Sequence, residues 1–189
     1  ILALAIKKLT EAGYVFIGMD HFAKPDDEMA VAQRQGRLHR NFQGYSTYAD
    51  CDMLSFGISS ISKVGPTYNQ NVKTLDEYYD RLDAQMLPVL RGIELNADGI
   101  IRRSIIGALM CHFELSIESI ESAHLIDFRK YFEAELEDMK EMERAGLLKI
   151  DREWITVLPP GRLLVRIISM VFDRNLRAGR QRATYSKVI

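Results

Sequence analysis

The sequence predicts an α/β segment, a piece of a sheet or barrel, followed by a mostly helical, winged-helix-like domain. Three observations predict it. "ILALAIKKLTEAGYVFIG" opens with apolar residues at helical spacing, reaches a glycine and runs into a short apolar stretch. From Gly44 to Gly65 the pattern loses any regular period. From about Arg91 helix-period segments return, broken near the end by one alternating hairpin pattern.

Taken in order, Leu2, Ile6 and Leu9 line one face of an opening helix, and Gly13 stands where a helix terminates. Tyr14 to Ile17 reads as a buried parallel strand. Pro25, Asp26 and Asp27 start a short helix over Glu28 to Gln35, closed by Gly36. One strand is expected near Met53 to Ser60. Thr74 and Glu77 have capping-box spacing and open a helix ending near Leu87-Pro88. Asn96 caps a helix with Ile101, Ile105 and Leu109 on its apolar face. Asp127 opens a longer one through Phe128, Tyr131, Phe132, Leu136 and Met139, stopped by Gly146. Leu148–Ile150 and Trp154–Val157 form a hairpin. A last helix follows Pro159-Pro160-Gly161 through Leu164, Ile167, Ile168 and Val171.

Composition bounds the function. With 189 residues, 47% hydrophobic, 27% charged and a net charge of −1, the chain reads as an ordinary globular protein with no field directed at nucleic acid or membrane. Its apolar runs fall far short of the roughly 20 residues that a membrane span requires. Cys51 and Cys111 stand alone, so neither a disulfide framework nor a metal site is signalled, and a cytoplasmic location is expected. A start at Ile1, without initiator Met or signal pattern, reads as a fragment.

Few residues carry chemistry. Asp20 and His21 follow the first strand, where α/β folds place functional groups, although loop hydrogen bonding explains them as well. His39, His112 and His124 have no partner at ligand spacing. Phe42-Gln43-Gly44-Tyr45 offers an aromatic wall, an amide that donates and accepts, and a glycine for close approach, which suits a flat amphipathic ligand and equally a packed loop. From Asp151 onward eight basic residues face three acidic ones, a balance that suits phosphate or carboxylate; nucleic acid is disfavoured.

The segments "GMDHFAKPDDE", "LHRNFQGY", "FGISSIS" and "RGIELNADGIIRRSIIGALMC" resemble the C-terminal part of the bacterial oxygen-independent coproporphyrinogen III oxidase family, radical S-adenosylmethionine enzymes of haem biosynthesis. The resemblance covers nearly the whole chain. It implies a fold: the remnant of a partial (β/α) barrel and its connecting segment over residues 1–90, and the helical domain over 91–189. It also implies a chemistry. A 4Fe-4S cluster and S-adenosylmethionine generate a radical that takes hydrogen from two propionates of coproporphyrinogen III in turn, and loss of carbon dioxide leaves the vinyl groups of protoporphyrinogen IX. Phe42 and Gln43 become candidates for a second S-adenosylmethionine site or the adjacent substrate space, and Ile61 for an apolar cofactor contact. Arg102, Arg103 and Arg166 are candidate partners of substrate carboxylates. No catalytic residue and no metal ligand is assigned, because the family's CxxxCxxC motif has no match here. The partner implied is the N-terminal half of the same protein, without which the fragment is expected to be inactive. A haem-binding chaperone of the same scaffold and a winged-helix nucleic-acid module are the alternatives.

Overall fold

A computed structural model describes residues 2–49 and 51–178. They fall into two compact units, one from the described parts of Ile1–Ala49 and Ile101–Ile189, the other from those of Asp50–Ile100. The sequence-based boundary at 90/91 lies inside the second.

Helix α1 (Leu2–Glu11) closes as expected, with Gly13 at φ +81° and the Tyr14 N–H donating to Leu9 O. Strands β1 (Val15–Gly18) and β2 (His21–Ala23) follow. The expectation of a parallel strand is corrected here: the partner of β1 among the described residues is antiparallel β2, because Met19, at φ +56°, and Asp20 turn the chain straight back. Helix α2 (Glu28–Arg34) starts where Asp27 accepts from Met29 N at 2.9 Å and is followed by Gly36 at φ +68°. Strands β3 (His39–Asn41) and β4 (Gly44–Ser46) form a hairpin that alternation did not reveal. Ile17, Ala23, Ala30, Ala32, Leu38 and Cys111 make a small core.

The unit of residues 50–100 holds β5 (Ile61–Val64), β6 (Thr67–Asn71), α3 (Leu75–Asp83) and β7 (Val89–Glu94). Its sheet is antiparallel in the order β5-β6-β7. The strand expected over Met53 to Ser60 begins only at Ile61. Met53 makes a single bridge to Lys63, and Gly57 at φ +94° with Ser59 at φ +56° bends the intervening chain out of extension. The expected capping box does not form. Thr74 is extended at the cap position but its side chain makes no cap hydrogen bond, while Glu77 pairs with Arg81 at 2.8 Å. Helix α3 stops at Asp83, short of Leu87, with Gln85 in the left-handed region.

The remainder is α4 (Ala97–His112), β8 (Glu114–Ser116), α5 (Ile117–His124), α6 (Phe128–Tyr131), α7 (Glu133–Arg144), β9 (Leu148–Ile150), β10 (Trp154–Val157), a 3-10 turn (Pro159–Leu164), α8 (Val165–Met170) and α9 (Arg174–Ala178). The hairpin stands at its expected bounds and gains an unforeseen third strand, giving the order β8-β10-β9. Helix α5, capped by Ser116, was also not legible. The single helix expected from Asp127 is two, because Phe132 (φ −110°, ψ 29°) departs from helical geometry between them.

These elements enclose the main core. Phe128, Phe132 and Phe172 are fully buried and meet at centroid distances of 5.0 to 6.4 Å, beside Ile105, Leu109, Met139 and Ile155. Arg102 is committed there: Nη1 donates to Glu135 Oε1 at 2.9 Å and to Phe172 O at 3.1 Å. Its role as a candidate carboxylate partner for a ligand is therefore withdrawn. Arg180, Arg182 and Lys187 lie outside the described residues. No described helix is long and apolar enough to cross a membrane.

Candidate functional site

The site begins with a residue that has no side chain. Gly18 adopts φ +149°, and a Cβ there would overlap the Tyr45 hydroxyl. Tyr45 uses that space. Its hydroxyl donates to Met110 O at 3.1 Å, and its ring meets His21 edge-on with centroids 5.1 Å apart. Burial, with Cys111 as the next cause, pushes the Tyr45 phenol up to about 12, so near neutral pH it is an O–H donor and a wedge rather than an acid or base. Burial likewise pushes the Cys111 thiol up to about 12, which removes it as a thiolate ligand.

Tyr45 fixes the hairpin that carries two of the predicted residues. Arg40 pairs with Tyr45 and Asn41 with Gly44, leaving Phe42-Gln43 as a two-residue turn. Asn41 Oδ1 accepts from Gln43 N at 2.8 Å, which holds the turn and turns both side chains outward: Phe42 is 57% exposed and Gln43 is exposed. An aromatic face and a free amide thus project from an anchored base. Gly44 adopts φ +134°, a conformation that residues with side chains rarely take.

Asp20 and His21 turn toward each other, with His21 Nδ1 2.8 Å from Asp20 Oδ1. The contact is one of distance alone, because His21 Nδ1 makes no hydrogen bond. Gln33, which sequence reasoning did not single out, ties the base together: Nε2 donates to Ile17 O at 2.6 Å and to Cys111 O at 2.8 Å. No periodicity marks such a residue. Burial, then the neighbouring His39, holds the His112 imidazole below its ordinary range, in keeping with an interior-lining role.

Ile61 belongs to the other unit. It is half-buried at the start of β5. Ser55 Oγ donates to its carbonyl at 2.7 Å, Ser55 N donates to Ser62 Oγ at 3.0 Å, and Asn71 Nδ2 donates to Gly57 O and Ser60 Oγ, each at 3.0 Å. The small residues of "FGISSIS" therefore build a hydrogen-bonded loop leading into the strand.

Among the described residues no group of three His, Cys, Asp or Glu side chains could hold a metal ion. Cys51 is exposed and Cys111 buried, both as free thiols.

Comparison with known proteins shows what the chain is similar to. Oxygen-independent coproporphyrinogen III oxidase of Escherichia coli K12 is 47% identical over 189 residues, and that of Synechocystis 47% over 193, each match covering 100% of this chain and 41% of the relative. The solved structure of the E. coli enzyme, described as a radical S-adenosylmethionine enzyme, superposes with a TM-score of 0.90 at 48% identity, over 93% of this chain and 41% of that one. The chain is similar throughout to the C-terminal part of oxygen-independent coproporphyrinogen III oxidases. It spans about two fifths of the length of these relatives, corresponding to their C-terminal part. The enzyme from Thermostichus vulcanus is 44% identical over 190 residues, and there the chain covers 58%. No family model matches.

Proposed function

We propose that this chain is the C-terminal part of a cytoplasmic oxygen-independent coproporphyrinogen III oxidase, which converts two propionates of coproporphyrinogen III to vinyl groups. The observation that carries the reading is identity of 47% across the full chain with enzymes of that name. In this reading residues 1–90 complete a (β/α) barrel and its connecting segment, and residues 91–189 form a winged-helix-like domain. The latter is supported by helices α4, α5 and α7 interleaved with the β8-β10-β9 sheet.

The residues present do not fit a 4Fe-4S cluster. Among those described, no trio of ligating side chains gathers, so the thiolates come from the other part of the longer protein. They do fit S-adenosylmethionine in part. Phe42 offers a face to an adenine and Gln43 an amide free to donate and accept; Ile61, in the other unit, is by itself a candidate for an apolar cofactor contact. When bound, S-adenosylmethionine supplies the radical chemistry. The contribution of this chain in this reading is to hold the ligand on a turn anchored by Tyr45.

The test is anaerobic turnover by the longer protein containing this chain, after iron and sulfide reconstitution and with S-adenosylmethionine and a reductant. Protoporphyrinogen IX, read as protoporphyrin after oxidation, is the expected product. Gln43→Ala is expected to raise KM for S-adenosylmethionine with a smaller effect on folding, whereas the 189-residue chain alone should give no product. Absence of product from the longer protein would refute the proposal.

A further inference from the structure

The antiparallel register of residues 61–94 sorts six side chains onto one face of the sheet. Directly paired residues share a face, and faces alternate along each strand. Ile61, Gln70 and Arg91 form one row; Lys63, Tyr68 and Ile93 form the next. The opposite face holds Ser62, Asn69 and Gly92, then Val64, Thr67 and Glu94. One face thus carries two cations, an aromatic ring, an amide and two apolar side chains, and no carboxylate. The acid of these paired rows, Glu94, is on the other side.

Arg91 is held in an unusual way. Its Nε and Nη2 both donate to Gln70 Oε1, at 3.0 and 2.8 Å, while Gln70 Nε2 donates to Ser59 O at 3.0 Å. A neutral amide, itself fixed by the loop before Ile61, orients the guanidinium without neutralising it. The outer edge, Nη1 with the remaining Nη2 proton, is left for a carboxylate to bind through two parallel hydrogen bonds. Lys63 stands at the opposite corner, two strands across and two residues along. At ~4.8 Å per strand and ~3.3 Å per residue that is about 12 Å away. Tyr68 lies between the two cations, Arg91 is exposed, and Ile93 is 49% exposed.

We infer that this face is the wall that receives the tetrapyrrole substrate, with Arg91 and Lys63 each taking a carboxylate at the rim of the macrocycle and Ile61, Tyr68 and Ile93 lying under its apolar body. The inference rests on the proposed function. It places a carboxylate at Arg91 in the same row as Ile61, the proposed cofactor contact, about 10 Å across the sheet.

The test is a fluorescence titration of the longer protein with coproporphyrin III, a stable tetracarboxylate, and with its tetramethyl ester. Arg91→Gln is expected to weaken coproporphyrin III binding about tenfold, the effect of a lost charge-assisted hydrogen bond. Arg91→Lys should restore part of it, Lys63→Gln should weaken it several-fold, and Lys149→Gln should change nothing. The ester should bind more weakly and respond to none of the substitutions. Thermal midpoints taken in parallel identify a variant that fails to fold; Lys63→Gln alone then decides. An unchanged affinity in the Arg91→Gln/Lys63→Gln double variant, an ester that binds as tightly as the acid, or displacement of coproporphyrin by S-adenosylmethionine overturns the assignment. Turnover distinguishes the two readings: a double variant with unaltered KM for coproporphyrinogen sinks only this face, whereas a wild-type protein without product sinks the proposed function.

Discussion

Residues 101–178 and residues 51–100 are held together by different forces. The first segment encloses three fully buried phenylalanines and a ring of aliphatic side chains. The second has one fully buried aliphatic residue, Val72, and a helix, α3, with no buried residue at all. In place of a core it has the side-chain hydrogen bonds of Ser55, Ser60, Ser62 and Asn71 around a glycine-containing loop. Large apolar residues there face outward, with Phe56 86% and Leu87 81% exposed. Burial selects a fold by volume, whereas a polar loop selects a geometry. The difference teaches that the first region is organised around its own interior and the second around a shape presented to something else.

The contrast can be broken most easily at the core. Phe132→Ala removes a ring packed against Phe128 and Phe172 and should cost about 3–5 kcal/mol, read from the urea midpoint. A loss below about 1 kcal/mol would show that the aromatic cluster is not the organising interior. Next, Glu135→Ala strands Arg102, whose side chain is only 13% exposed, beside Arg177 and should cost about 3 kcal/mol. Near-neutrality would mean that water reaches the pair. In the second region, Asn71→Ala removes two hydrogen bonds, to Gly57 O and to Ser60 Oγ, which remain bonded to each other, and should cost about 1–2 kcal/mol, while Phe56→Ala stays within about 0.5 kcal/mol. The reverse order would overturn the claim that hydrogen bonds rather than apolar packing hold this unit.

An alkaline titration sharpens the comparison further. The Cys111 thiol is raised from its ordinary 9.0 to about 12, and the Tyr45 phenol from 10.0 to about 12. Above pH 9 the unfolded chain releases these protons first, so it binds fewer than the folded chain and stability falls as pH rises from about 9 to 12. Below that window the contribution is complete. Tyr45→Phe should flatten part of the decline in the folding free energy; an unaltered slope would mean that the phenol is not buried in solution.

Legibility followed the same division. Segments with their own caps and apolar period were readable: Asp27 before α2, Asn96 before α4, Asp127 before α6, and the β9–β10 hairpin. Elements fixed by tertiary partners were not. Strands β3 and β4 contain a polar triplet and Gly-Tyr-Ser, whose strand character comes from Tyr45 wedging over Gly18. The run "FGISSIS" offers an apolar alternation that suggests a strand, yet Gly57 and Ser59 adopt positive φ to complete the Asn71 network. Thr74-x-x-Glu77 had capping-box spacing, and Arg81 one turn along claimed the carboxylate. Of the candidate site, the turn that exposes Phe42 and Gln43 was not legible, because it belongs to the β3–β4 hairpin. The cationic face likewise depended on a register no single strand contains.

Gln33 has a consequence for synthesis of the chain. Its amide spans Ile17 and Cys111, 16 and 78 positions away. A nascent polypeptide emerging in order will have released α1, α2 and both early hairpins long before the carbonyl of Cys111 leaves the ribosome. Those pieces must wait with Ile17 and Leu38 uncovered, as contacts distant in sequence form late. Translational pausing before residue 111 should therefore lengthen the interval in which a chaperone can capture this segment.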